Sequence, residues 1–362
     1  MNNEKIYRVL QDILKEKVLL VIGTGSSMSL DQNFGMEKLK QELLSKIPDA
    51  ISSFENAGKA QWEEVKKRLD NGFILETAMN DIRDKSLLKS IVYITGNLIS
   101  ELDKKYNLSI LKQNDILPIE EFLKKLVSGL PESNPVLNII TPNYDMLLEH
   151  CCDKLKIPFC TGFVGGIRKY CDWQLSIKSM EITRDLPQRN KIKKVIRTKR
   201  HIRLHKVHGS LNWFKLNDSF FQNDSLSYIQ QDEFDRMIIS PGDKKFEEVL
   251  QCSREILSRA DEAIRLEKAF VFIGYGFNDI HIDKELKTAL ITHEKPGIII
   301  TKALSDNAQK IVSESKNLWA VFQNNGDPGS TSILHHSFSA PVVFNNLDIW
   351  QIDKFSKEIL GD

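Results

Sequence analysis

Four short segments far apart in the chain constrain its fold more than any other feature: VLLVIGTGSS (residues 18–27), IITPNYDMLLEH (139–150), KVHGSLNW (206–213) and FVFIGYGFNDIHI (270–282). In three of them a run of apolar, often β-branched residues passes directly into a loop carrying glycine or asparagine and then into a polar stretch. A run that is apolar on every residue has no solvated face, which suits a strand of a parallel sheet covered on both sides. Loops at the carboxyl ends of such strands are where an open α/β sheet meets its ligand. The four segments make chemical sense together if they converge on one dinucleotide.

The pattern between them supports the same architecture. A helix over residues 4–16 precedes a strand at 17–22 and the loop Gly23, Thr24, Gly25, Ser26 and Ser27. Residues 36–135 show helical periodicity with no strand-like alternation, and read as a helical insertion beside the sheet, closed by the turn at Asn134 and Pro135. Strands are expected at 136–141, 203–207, 236–240, 269–273, 297–301 and 341–344, with helices at 144–156, 244–267 and 279–292 between them. Such alternation implies βαβ units and a doubly wound parallel sheet. The expected organisation is a core of residues 1–35 and 136–362 interrupted by the insertion at 36–135. Residues 189–206, RNKIKKVIRTKRHIRLHK, are the one strongly basic stretch. Their recurring apolar positions and lack of interleaved aromatics favour a solvated β-hairpin with a basic face over a nucleic-acid arm.

Composition excludes several classes. The 362 residues are 41% hydrophobic and 27% charged, with 50 Lys and Arg against 49 Asp and Glu, so no overall field recruits nucleic acid or an anionic membrane. No apolar run approaches the ~20 residues of a transmembrane helix, and the charged N-terminus has no secretory core, which makes a cytoplasmic location the expectation. Cys151, Cys152, Cys160, Cys171 and Cys252 contain no C-x-x-C pair. An odd count argues against a disulfide framework, and the spacing against a zinc module.

Each motif has a structural reading beside a chemical one. Gly23 and Gly25 allow a tight turn and close approach to a pyrophosphate, and Ser26 and Ser27 add hydroxyls, although no third glycine follows at Met28. Asn143 and Asp145 stand where a strand passes into a helix. Asp145 suits a helix cap, while Asn143 carries both a donor and an acceptor for a ribose hydroxyl or a water. His208, followed by Gly209 and Ser210, would project from a turn at a strand end, where a group titrating near neutrality suits a general base. His201 and His205 read as bystanders. Gly274 and Gly276 form a second glycine turn containing Phe277, with Asn278 or Asp279 capping the next helix or meeting a ribose.

In this order G-x-G-S, T-x-N-Y-D, H-G-S and G-Y-G-F-x-D resemble the sirtuin-like domains of bacterial antiphage proteins, such as Thoeris effectors, defence-associated sirtuins, and the partners of short Argonautes and of HerA-type ATPases. The motifs span about residues 18–283, leaving out the helical stretch and the last 60 residues or so. The resemblance implies a Rossmann-like, sirtuin-type core that hydrolyses NAD, with Asn143 and His208 essential. The remaining motif residues, Gly23 to Ser27, Asp145, Gly209, Ser210, Gly274, Gly276, Phe277, Asn278 and Asp279, would then contact the dinucleotide. It further implies a toxic effector that depletes NAD as a homo-oligomer, with a HerA-like ATPase or another defence partner. NAD would be the substrate, with no metal, no membrane and no direct nucleic-acid contact. A sirtuin-type deacylase or ADP-ribosyltransferase shares the NAD site but usually brings a zinc module. A silent NAD or ADP-ribose sensor also remains open, whereas an oxidoreductase lacks the acidic residue expected after the second strand.

Overall fold

The computed structural model describes residues 3–51, 56–112, 117–188, 191–217, 219–229, 233–239 and 251–361. Helix α1 (Asn3–Lys15) leads into β1 (Val18–Ile22), and the loop after β1 opens the short α2 (Thr24–Met28). Helices α3 (Met36–Ala50), α4 (Asn56–Asp70), α5 (Leu75–Ala78), α6 (Lys85–Leu111) and α7 (Glu120–Gly129) follow with no strand among the described residues. The chain returns through β2 (Val136–Thr141) and α8 (Leu147–Leu155) to β3 (Phe159–Cys160), β4 (Phe163–Gly165), β5 (Lys169–Cys171) and α9 (Trp173–Lys178). Next come β6 (Glu181–Gln188), β7 (Lys191–Thr198), β8 (His201–Lys206), β9 (Gly209–Leu216), β10 (Ser219–Gln222) and β11 (Asp235–Ile238). The remainder alternates: α10 (Gln251–Leu266), β12 (Ala269–Ile273), α11 (Ile280–Lys287), β13 (Gly297–Thr301), α12 (Asp306–Glu314) and β14 (Leu318–Asn324), ending with β15 (Asp327–His335), β16 (Val342–Phe344) and α13 (Ile352–Leu360).

Nine strands form the central sheet in the order β16-β15-β14-β13-β12-β1-β2-β8-β3. From β14 to β3 every pair is parallel, while β15 and β16 add an antiparallel edge. The expected doubly wound α/β fold is present, with that edge as an addition. Strand β1 shows why an unbroken apolar run is needed. Val18, Leu20 and Ile22 pack into one core cluster together with α1 and the helices between β1 and β2, whereas Leu19 and Val21 pack into a second cluster with α10, α11 and α12. Both faces are covered, so neither tolerates a polar residue. The chain moves outward from β1 in both directions, to β2 on one side and β12 on the other, and ligands bind at the crevice such a reversal opens.

Several expectations need correction. The helix expected at 144–156 starts at Leu147, leaving Tyr144 and Asp145 in a loop. The strand expected at 203–207 spans His201–Lys206, and all its residues but Arg203 are buried, so the C-terminal third of the basic stretch is core rather than solvated hairpin. The expected hairpin is formed by the N-terminal part of the stretch, β7, paired antiparallel with β6 upstream of it, and Ile192 and Ile196 are exposed. Residues 236–240 contribute β11, which belongs to a separate antiparallel sheet of order β11-β9-β10-β5-β4 that the sequence did not suggest; residue 240 and the expected helical residues 244–250 lie outside the described residues. That sheet is held by paired aromatics, Phe214 opposite Phe221 and Trp213 packed edge-on against Phe220. Cys151, Cys152 and Cys160 are free and buried, but Cys171 is disulfide-bonded. No helix among the described residues is long and apolar enough to cross a membrane.

Candidate active site

Because the central strands are parallel, β1, β2, β8, β12 and β13 all end at one edge of the sheet, and their loops enclose a cavity of about 570 Å³. Gly23, Thr24 and Gly25 line it from β1, Asn143 and Asp145 from β2, and His208 from β8. Gly274, Gly276, Asn278 and Asp279 line it from β12. Ser26, Ser27, Gly209, Ser210 and Phe277 do not. Phe277 is instead buried against Phe272 and Tyr275, and Ser210 is fully buried.

The glycines of the β1 and β12 loops have a packing role. A Cβ on Gly23 would meet the Gly274 carbonyl oxygen at 2.5 Å, and one on Gly25 would meet Gly274 Cα at 2.7 Å. Gly274 itself adopts φ +57, where any side chain is strained. The Gly25 amide donates to the Gly274 carbonyl at 3.0 Å. The second glycine turn is thus the counterpart of the first: each is glycine because the other lies against it.

Asn143 is 8% exposed and pinned. Its Nδ2 donates to the Gly23 carbonyl and to Ser27 Oγ, both at 3.1 Å, and Thr24 Oγ1 donates to its Oδ1 at 3.4 Å. A carbonyl only accepts, so the Gly23 bond fixes which end of the amide is nitrogen and leaves Oδ1 as the acceptor on the Thr24 side. Ser27, though outside the cavity, also donates to Asp145 Oδ2 at 2.8 Å. Burial pushes the Asp145 carboxyl up to about 6, against the opposing charge of Lys206. Lys206 is itself buried and bonds the Asp145 carbonyl and Glu149 Oε1, the latter at 2.9 Å. The cap expected at Asp145 falls to Met146, which stands at the N-cap of α8; Asp145 lies one residue before it, its carboxylate accepting from the Leu147 amide at 3.3 Å.

His208 has a partner that sequence spacing did not disclose. Its Nε2 lies 2.7 Å from Asp279 Oδ2, while Asp279 Oδ1 accepts from the His281 and Ile282 amides and caps α11. Burial favours the neutral acid, yet the bond and charge of His208 and the two amides hold the Asp279 carboxyl below its usual range. Burial pushes nearby Asp283 up to about 7, with the Asp279 charge adding to the shift and the Tyr275 hydroxyl, donating at 2.7 Å, opposing it. The two carboxyls are driven apart, and Asp279 is the one that stays ionised. The Asp279 carboxylate beside Nε2 is placed to stabilise the imidazolium once a proton arrives. His201 and His205 are buried outside the cavity, and burial, with Arg203 and Arg259, pushes His205 down to about 3.

Two further walls went unread in the sequence. Ser305 donates to the Gly276 carbonyl and Asn307 to Asn278 Oδ1 at 2.9 Å, so the start of α12 braces the β12 turn. Ser305 also caps α12, and a serine ahead of Asp306 and a helical run is a readable cap signal. Residues before and within the helical stretch, including Phe34, Met36, Glu76 and Asn80, close the other side. Among the described residues no group of three or more His, Cys, Asp or Glu is placed to hold a metal ion.

A family profile described as a SIR2-like domain matches residues 137–321, just over half of the chain, including β2, β8, β12 and their loops. No curated protein matches. One solved structure, described as a structural basis for the mechanism and regulation of Sir2 enzymes, is similar over 85% of this chain and 89% of its own, at 14% identity and a TM-score of 0.37. On the extent of the profile match, the chain belongs to the SIR2-like domain family.

Proposed function

We propose that this chain hydrolyses NAD to nicotinamide and ADP-ribose. The observation that carries the reading is a single cavity whose wall holds an amide pinned by the β1 loop, Asn143, together with a histidine backed by an ionised carboxylate, His208 with Asp279. The wall suits a dinucleotide: glycine turns permit close approach of a phosphate, Thr24 and Asn278 offer hydroxyl and amide groups, and the volume falls in the range of small-molecule sites, ~300–1,000 Å³.

Nicotinamide in NAD is a cationic leaving group, so the bond to ribose breaks with its electron pair going to the ring nitrogen and no general acid is required. The new bond to the ribose carbon takes its oxygen from water. His208 accepts the proton that water releases, and Asp279 stabilises the resulting imidazolium. Asn143 orients water or a ribose hydroxyl through Oδ1, its amide nitrogen being committed to Gly23 and Ser27. Nothing in this sequence of events calls for a Lewis acid.

The motif resemblance supports a wider reading: a cytoplasmic toxic effector of antiphage defence, assembled as a homo-oligomer and held in check with a HerA-like ATPase or another partner. On this reading residues 36–135 are an insertion that roofs the cavity. The test is to incubate the pure protein with NAD and quantify nicotinamide and ADP-ribose, with and without an acetylated peptide. Release of nicotinamide in the absence of peptide is expected. Nicotinamide release only with peptide, accompanied by acetylated ADP-ribose, would replace this reading with a deacylase. No turnover under any condition, with NAD bound, would replace it with a sensor.

A further inference from the structure

A second cavity, of about 480 Å³, lies between α8 and the small antiparallel sheet. Its polar wall is unbalanced. Its strongest donors are engaged by neighbours: Lys169 Nζ, Asn212 Nδ2 and Gln222 Nε2 all donate to Asp224, at 2.6, 2.8 and 2.9 Å, and Thr161 donates to Gln222 Oε1 at 3.2 Å, while the Ser176 hydroxyl has no partner among the described residues. His150, the other basic group in the wall, is taken by Asp103 at 3.0 Å. Acceptors remain. Glu149 is 8% exposed and gives Oε1 to Lys206, while its Oε2 has no hydrogen-bond partner. Asn212 is 4% exposed, and because its nitrogen donates to a carboxylate its Oδ1 is fixed as an acceptor, also without a partner. Asp153 adds a carboxylate at the exposed end.

Two buried acceptors left unmade cost free energy unless something supplies donors. What fits is a ligand with donors and positive charge at intervals and apolar chain between them, because Phe159, Phe163, Met146, Val164 and Met180 give the wall its apolar part. We propose that this cavity is a binding site for an aliphatic polyamine, one ammonium reaching Glu149 Oε2 and Asn212 Oδ1 and a second meeting Asp153, with the methylenes against the phenylalanines. The site is separate from the NAD reading, and a direct binding measurement does not depend on turnover.

The test is calorimetric titration of the full chain with spermidine, with 1,8-octanediol as an uncharged chain of similar length. Saturable one-to-one binding of spermidine, with no heat from the diol, is expected. Glu149→Gln and Asp153→Asn should each weaken it roughly tenfold or more, the loss of one charge-assisted bond. Asp153 lies at the exposed end, so its variant keeps the test decisive if Glu149→Gln disturbs the fold. Absence of saturable spermidine binding at millimolar concentration would overturn the proposal. So would equal binding by wild type and Asp153→Asn, which would place the polyamine elsewhere on the surface.

Discussion

The chain contains two histidine–aspartate pairs of similar length in different settings. His208 Nε2 stands 2.7 Å from Asp279 and joins two loops at the carboxyl ends of parallel strands. His150 Nε2 stands 3.0 Å from Asp103 and joins two helices, α8 and α6. Asp103 is saturated: its oxygens also accept from the Met146 amide and the Tyr228 hydroxyl, both at 2.6 Å, and Tyr228 meets the same His150 nitrogen at 2.9 Å. That arrangement locks α6 against the start of α8. The His208 pair faces the cavity shared with Asn143, whereas His150, in the wall of the second cavity, is held by both Asp103 and Tyr228. A paired histidine is therefore not in itself a sign of chemistry; how firmly its other neighbours hold the pair bears on its role.

The largest effect expected from this contrast is on rate. His208→Ala should lower NAD turnover on the order of 10²- to 10⁴-fold, the contribution of a positioned base, with little change in melting temperature. Asp279→Asn should follow in the same direction by a smaller factor, because it removes the carboxylate charge beside the ring and leaves the ring in place. Steady-state assay of folded variants checks both. Wild-type-like turnover by His208→Ala would break the comparison at its catalytic end.

Next in size is a loss of stability at the other pair. Asp103→Ala leaves the Met146 amide, Tyr228 and His150 without their common acceptor in a fully buried position, and should cost about 3–5 kcal/mol. Turnover per folded molecule should remain close to that of wild type. Urea unfolding beside an activity assay separates the two outcomes, and a fully stable but inactive Asp103→Ala protein would show that the roles are reversed.

How legible these roles are in the sequence depends on the distance along the chain between partners. Asn143 and His208 are legible because each follows an apolar strand that must be buried, and parallel strands deliver both residues to the same edge of the sheet. Asp279 is legible only as a cap, since its second oxygen serves a histidine on another strand and nothing local encodes that pairing. The glycine turns are visible, but their interlock across β1 and β12 is not, because close approach of two backbones leaves no side-chain signal. In β8 the basic composition misleads: Ile202 and Leu204 alternate with charged and histidine positions, yet His201 is buried against the Lys199 carbonyl just before the strand, and His205 and Lys206 are buried through partners on β2 and α8. The small sheet escapes notice because its short strands are defined by aromatic pairing with neighbours rather than by a sustained alternation.

A smaller effect should appear in the pH dependence of stability. Burial would lower the His150 pKa, but the bond and charge of Asp103, with Glu149 and Asp153 adding to it, hold it above its ordinary value. A raised histidine pKa contributes stability that is fully present below the unfolded value of about 6.5 and is lost as pH rises through the folded value. The Tyr228 hydroxyl faces the same nitrogen and remains protonated throughout, since burial and Asp103 push its pKa well up. The urea midpoint of wild type should therefore fall between about pH 6 and pH 9 by more than that of His150→Gln. Parallel pH profiles for the two proteins would show that the α6–α8 lock does not depend on charge.

The smallest expected effect links the two halves of the comparison through Lys206, whose ammonium bonds the Asp145 carbonyl in the wall of the first cavity and the Glu149 carboxylate in the wall of the second. A polyamine ammonium on Glu149 Oε2 would share that carboxylate with Lys206 and place positive charge near it. The lysine's hold on the loop that carries Asn143 and Asp145 would then loosen. Spermidine should weaken ADP-ribose binding about fivefold, at the low end of coupling between sites, and ADP-ribose should weaken spermidine by the same factor because linkage is reciprocal. Titrating each ligand in the presence and absence of the other measures both directions. Identical affinities would mean that Lys206 fixes the two walls independently, so that each histidine pair works within its own cavity.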